Sequence, residues 1–266
     1  MPSEQDIASI LHTLLGKQRL ASLADENGDI DSALLAFQWE MDARRTLLAP
    51  AGIAEIALRN AIDQEISNWW HNNSFPGTWT DKNIPPEATI LKPFVHPTGW
   101  EKRASKNLSS KNRPVNHCDL IAHTSFGTWK NMIGNPIAIN KNPPTEKKKL
   151  DSWNAAKQRD KECALLWKNI LFSAFPNIPG RAQRGKISPR AYIGARVSRI
   201  AALRNRMFHW DNLTALDIKM RYRDINEVLS AINPLLGTWL DSSYESEINQ
   251  LIDDKPSWLK PYLSKK

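Results

Sequence analysis

The chain has 266 residues, 41% of them hydrophobic, and a formal net charge of +8, a make-up that suits a folded chain rather than a disordered one. No apolar run approaches the ~20 residues of a membrane span, and the opening Met1-Pro2-Ser3-Glu4-Gln5-Asp6 is acidic where a leader would be basic and then apolar, so a cytoplasmic location without membrane partners is expected. Two cysteines, Cys118 and Cys163, with no CxxC pair and no ligand set nearby, argue against a zinc site or disulfide framework and read as reduced structural thiols.

Charge is distributed unevenly. Residues 1–100 hold 7 Lys+Arg against 13 Asp+Glu, residues 101–206 hold 22 against 6, and residues 207–266 hold 7 against 9. A segment so one-sided suits a polyanionic partner, of which nucleic acid is the commonest. A lysine-rich insert that merely keeps the chain soluble is the plainer alternative.

In chain order, residues 3–15 read as a short helix with Ser3 as its cap and Ile7, Ile10, Leu11 and Leu14 on one face. Asn27-Gly28 breaks the chain, and a long helical pattern runs from Asp31 to about Trp70, either two helices meeting at Ala49-Pro50-Ala51-Gly52 or one helix kinked there. Residues 71–116 turn to Pro, Gly, Asn, Ser and Trp, an irregular insert with one helix near 100–110. A helix from about Asp119 to Met132 follows, then a second irregular insert near 134–144, and then a strong helix over 145–175. Ser188-Pro189 is a cap with Pro at the first helical position, which predicts a helix from 189 to about Trp210, with further helices near 214–233 and 237–251. Strand-like alternation is scarce. The expected fold class is therefore all-α, a helical bundle with loop-rich, basic inserts, laid out as a single domain over 1–266.

The helix over 189–210 carries the chemistry. At 100° per residue, Ile193, Val197, Ile200, Leu203, Met207 and Trp210 form its apolar arc, while Ser198, Ala202, Asn205 and His209 lie opposite with Arg199 and Arg206. Arg204 and Arg196 fall within or beside the apolar arc, where an unpaired charge costs several kcal/mol. Arg204 therefore needs an anion, either a carboxylate such as Glu55 or a phosphate. His209, near the helix C-terminus, is suited to proton transfer, with Asn205 one turn earlier placed to orient its ring. These residue types suit metal-independent RNA cleavage, in which the 2′-hydroxyl attacks the adjacent phosphate, His209 moves a proton and Arg204 stabilises phosphoryl charge. On spacing alone, a helix-end His and a core Arg salt bridge account for the pattern equally well.

The run Ala202-Leu203-Arg204-Asn205-Arg206-Met207-Phe208-His209 resembles the R-N-x-x-x-H signature of HEPN domains, in particular the bacterial Abi-like (abortive infection) proteins. Gln18-Arg19-Leu20, Glu55-Ile56-Ala57-Leu58-Arg59-Asn60-Ala61-Ile62 and Ser125-Phe126-Gly127-Thr128-Trp129 look like that family's ordered landmarks. The resemblance implies a HEPN-like helical bundle, a toxin-type endoribonuclease in anti-phage defence, and a homodimer in which two motifs form one composite site. By position, Arg204 and His209 match the catalytic pair and Asn205 the polar residue after the Arg. No cofactor and no metal is implied. RNA is the expected substrate, with a regulatory non-coding RNA or an antitoxin as a further partner. Phe208 and Trp210 depart from the small residue and second His that many relatives carry there, and some HEPN proteins bind RNA without cutting it. A non-catalytic module holding a structured regulatory RNA is thus the alternative, and a protein-interaction component of a toxin–antitoxin pair the third reading.

Outside the motif, Lys147, Lys148 and Lys149 either grip RNA phosphates or solvate a helix start. Arg181, Arg184, Lys186 and Arg190 approach the motif helix and are candidates for steering RNA, together with Arg199 and Arg206. Trp39, Trp153 and Trp167 are expected in the core, and Trp79, Trp100 and Trp129, near loops, as the better base-stacking candidates.

Overall fold

The computed structural model describes residues 10, 13, 16–95, 97–108, 114–136, 142–180 and 187–259. The helix expected over 3–15 lies almost wholly outside them, as do Arg181, Arg184 and Lys186. The described residues are helical with no strand, so the fold is all-α. In order they form α1 (Lys17–Ala21), α2 (Ile30–Asn72), α3 (Pro97–Leu108), α4 (His117–His123), α5 (Phe126–Ile133), α6 (Lys147–Asn169), α7 (Pro189–Phe208), α8 (Ile218–Ile232) and α9 (Pro234–Asp253), with short 3-10 turns at Pro86–Ala88, Leu171–Ala174 and Ser257–Leu259. No helix among these residues is long and apolar enough to cross a membrane.

Helix α2 is the spine. Asp29 caps it by accepting from the Ser32 amide, and it runs unbroken through Pro50 for 43 residues, about 65 Å at 1.5 Å per residue. An interior proline costs about 3 kcal/mol. Ala43, Leu47, Ala51, Ala54, Leu58, Ile62 and Ile66 form one buried stripe across the Pro50 position. A buried Leu or Ile contributes roughly 1.5–3 kcal/mol, so the stripe outweighs the proline and the Pro-Gly joint does not separate two helices. Ala43, Ala51 and Ala54 are fully buried, whereas Leu35, Leu48 and Ile56 are about half exposed.

The segment expected as one helix over 119–132 is two. Thr124 and Ser125 adopt extended backbone (ψ 134° and 149°), and the Thr124 hydroxyl donates to the Leu120 carbonyl, so α4 ends and α5 restarts at Ser125. The helix expected over 145–175 stops at Asn169 and tightens into a 3-10 turn before Phe175. Ser188 caps α7 as expected, accepting from the Ala191 amide.

The insert at 71–116 contributes to the core. Trp79, Trp100 and Trp129 are at most 1% exposed, meeting edge to face around Trp79, whose Nε1 donates to Asp63 on α2. The stacking role expected for these three is therefore withdrawn. A Pro- and Gly-rich segment shows no helical period, so nothing in its pattern marks those rings as buried. Trp39 and Trp167 are buried as expected, but Trp153 is only partly covered. Cys163 is buried, and burial pushes its thiol pKa up; Cys118 is exposed.

Helices α5 and α7 lie antiparallel in close contact. Phe126 at one end of α5 meets Arg204, and Gly134 just beyond the other end meets Gly194 so closely that a Cβ on Gly194 would stand 2.1 Å from the Gly134 carbonyl oxygen. Gly194→Ala should therefore cost about 2–3 kcal/mol, the upper range for overpacking against an atom with no rotamer to yield. Gly52→Ala, on the open face of α2 with nothing within 4 Å, should stabilise by about 0.5–1 kcal/mol. Urea melts of the two variants check both signs, and equal stabilities would remove the close approach.

Candidate active site

The motif sits where α7 ends. Met207 is buried, whereas Phe208, His209 and Trp210 are exposed. His209 is the C-cap (φ −90°, ψ 6°), its amide donating to the Asn205 carbonyl. Trp210 then takes the left-handed conformation, φ 57°, and the Asp211 amide closes back on Arg206 at 2.9 Å. Glycine is the usual residue at this reversal, and a non-glycine there costs of order 1–2 kcal/mol.

Arg44 of α2 holds the reversal in place. Its guanidinium donates to three backbone carbonyls at the end of α7, those of Arg206 (3.1 Å), Met207 (3.4 Å) and Asp211 (2.6 Å), and lies 5.2 Å from the Trp210 ring centroid. A cation here answers both the carbonyls left outside the helix's own hydrogen bonds and the negative end of the helix dipole. Its own counter-charge is Glu40, 1% exposed, 3.2 Å away and one turn back on α2, which also accepts from Arg19 and from the Leu213 amide at 2.7 Å. Burial lowers the Arg44 pKa and Glu40 opposes that shift, so the guanidinium stays charged.

Arg204 is paired with Glu55 of α2 at 2.6 Å, both largely covered, and its guanidinium lies 5.5 Å from the Phe126 centroid and 5.1 Å from that of Phe208. Of the two anions the sequence left open, the carboxylate is the one in place. Arg196 is likewise paired, with Glu227, against the face of Tyr192. Asn205 and His209 are exposed, and neither side chain hydrogen-bonds the other; the expected orienting contact is not made, and the imidazole is free to turn.

The other cations separate into groups. Arg190 is buried against Asp160 and the Ile133 carbonyl, tying α7 to α6 and α5, and presents nothing to a ligand. That removes it from the RNA-steering set, for a physical reason hidden from the sequence: Asp160 lies 30 residues away. Arg199 donates to Asp224, whose hydrogen bonds raise its pKa and which Arg221 shares, and Arg206 donates to the Asn212 carbonyl. Lys147, Lys148 and Lys149 are exposed in the first turn of α6. Lysines there oppose the helix dipole, so helix stability does not account for all three, although Lys149 is paired with Glu146.

No family model matches this chain, and neither a curated protein nor a solved structure matches it.

Among the described residues, no group of three or more His, Cys, Asp or Glu side chains could hold a metal ion. Sequence reasoning missed Arg44, which lies on the same face of α2 as Glu55, eleven residues earlier, and so offered a helical-wheel signal. It also missed the exposure of Trp210, which the wheel put in the apolar arc; the left-handed turn swings it out.

Proposed function

We propose that the protein is a metal-independent endoribonuclease of HEPN type, acting as a homodimer in abortive-infection or toxin-type defence in the cytoplasm. The observation that carries the reading is His209, an exposed imidazole on a clamped helix end, five residues after Arg204. In the reaction the RNA 2′-oxygen bonds to the adjacent phosphorus, its proton passing to an imidazole. The bond from phosphorus to the 5′-oxygen breaks, and that oxygen takes a proton from an imidazolium. The products are a 2′,3′-cyclic phosphate and a 5′-hydroxyl, with no oxidant and no cofactor. Arg204 faces the charge that builds on the phosphoryl oxygens.

Two proton transfers call for two carriers, and a second copy supplies the other His209. Phe208 (59%), Trp210 (54%), Ile56 (50%) and Leu48 (49%) expose apolar surface on the motif turn and on α2, the helix that carries Glu55 and Arg44; such surface suits burial between copies. The basic segment over 101–206 supplies the attraction for RNA, whether substrate, regulatory RNA or antitoxin.

One observation favours the second reading, a non-catalytic RNA-binding module: Arg204 is already satisfied by Glu55. A phosphate must compete with that carboxylate or share the guanidinium with it. Glu55→Gln removes the competition, and under the catalytic reading it should tighten RNA binding several-fold in a titration at fixed salt. Unchanged affinity would place Arg204 outside the RNA contact.

The deciding experiment is incubation of a labelled mixed-sequence RNA with the wild-type protein in EDTA, with product ends and solution mass determined together. Cleavage leaving cyclic phosphates, by a dimer, is the expected result. Salt-dependent binding without product would install the binding module instead, and indifference to RNA would sink both.

A further inference from the structure

One face of α7 leads away from His209. Ser198, Ala202, Asn205 and His209 fall within an arc of about 60° and span about 16 Å, and the last three are exposed. At the Ser198 end this face opens into a cleft of about 500 Å³ between α5, α6 and α7, whose rim carries Lys130, Asn131, Arg159 and Asp160 with Ser198. The antiparallel packing of α5 on α7 puts it there: Phe126 stands against Arg204, Gly134 against Gly194, and Lys130 midway between, level with Ser198.

The cleft has a definite chemical character. Asp160 is its one lining carboxylate, and Arg190 already neutralises it. The Lys130 ammonium has no ion-pair partner among the described residues, and Arg159, though it donates to the Pro93 carbonyl and to Glu162, keeps a side chain 39% exposed. The Ser198 hydroxyl and the Asn131 amide make no side-chain hydrogen bond among the described residues and are available as neutral donors. Every lining residue comes from the strongly basic 101–206 segment. Uncompensated positive charge with neutral donors beside it is the arrangement that takes a phosphodiester.

We infer that this cleft is a backbone-binding subsite for single-stranded RNA, which delivers the strand along the Ser198–His209 face of α7 to the cleavage site, a path a few nucleotides long. The inference rests on the RNA reading above. It adds that affinity is built 16 Å from the chemistry, so that binding and cleavage are separable.

The test compares the wild type with Lys130→Ala and Asn131→Glu, both at accessible positions, and with Lys82→Ala, which removes one positive charge outside the cleft. Binding of 4- and 12-nucleotide single-stranded RNA is titrated over 50–200 mM salt, with melting curves to establish folding. For the 12-mer, the cleft variants should bind about five- to tenfold more weakly at low salt, and Lys130→Ala should flatten the log–log salt slope by about 0.7, the value of one single-strand phosphate contact. Lys82→Ala should match the wild type both in binding and in the cleavage of bound strand. If the wild type binds the 12-mer and the cleft variants bind it equally well, the subsite is wrong while the RNA reading survives. If the wild type binds neither oligomer, the RNA reading fails and the subsite falls with it.

Discussion

Replacing His209 with alanine should lower the RNA cleavage rate by about 10²–10⁴-fold, the usual worth of a positioned proton carrier, while the dissociation constant for RNA stays within a few-fold of wild type. The separation is expected because the ring is exposed and makes no hydrogen bond among the described residues, so its loss removes no packing and melting should be unaffected. Single-turnover rates over a range of RNA concentrations keep affinity and rate apart. A rate unchanged in His209→Ala would end the catalytic assignment, and a loss confined to affinity would make His209 a binding residue. Mixing supplies a second, stricter check. If two copies each lend an imidazole to one site, excess His209→Ala chain should draw the wild type into inactive pairs; if each copy works alone, the mixture should only be diluted.

Arg44→Ala should be the most destabilising single substitution at the site, at about 3–5 kcal/mol, the cost of breaking a buried ion pair from one side. Glu40, 1% exposed, would keep only Arg19 and the Leu213 amide, the Met207 and Asp211 carbonyls would lose the guanidinium, and the Arg206 carbonyl would keep only the Asp211 amide. Chemical denaturation reads the loss directly. Arg44→Lys keeps the charge but replaces a planar fork with a point donor, and should cost about 1–2 kcal/mol. Under the catalytic reading cleavage should fall further than stability alone dictates, because the left-handed turn at Trp210 then loses the cation against its ring and keeps the Arg206 bond to the Asn212 carbonyl. Equal melting of Arg44→Ala and wild type would show the clamp to be dispensable.

What the sequence disclosed, and what it withheld, follows from range. The cap of α7, the all-α class and the anion requirement of Arg204 could be read because each depends on a residue's own periodicity or on neighbours within one turn. Glu55 was named in advance because a buried arginine admits few partners. The split between α4 and α5 escaped because Thr124 and Ser125 sit in an otherwise apolar helical pattern, and only the hydroxyl's bond to Leu120 reveals the break. Arg190 and Trp79 were misplaced for the opposite reason: their partners, Asp160 and Asp63, are 30 and 16 residues away, and no local pattern shows them turning inward. Arg44 shares the Glu55 face of α2, but its role escaped because the partners it grips are backbone carbonyls, which every residue possesses.

That last property bears on how the protein can change. Since Arg44 grips main-chain oxygens at 206, 207 and 211, its grip does not depend on which side chains those residues carry, although Arg206 and Met207 also serve through theirs, in a bond to the Asn212 carbonyl and in the core. Asp211 is exposed, so its side chain can vary while the carbonyl that Arg44 holds stays in place. The turn that presents His209 is thus built to outlast a change of residue at that exposed position.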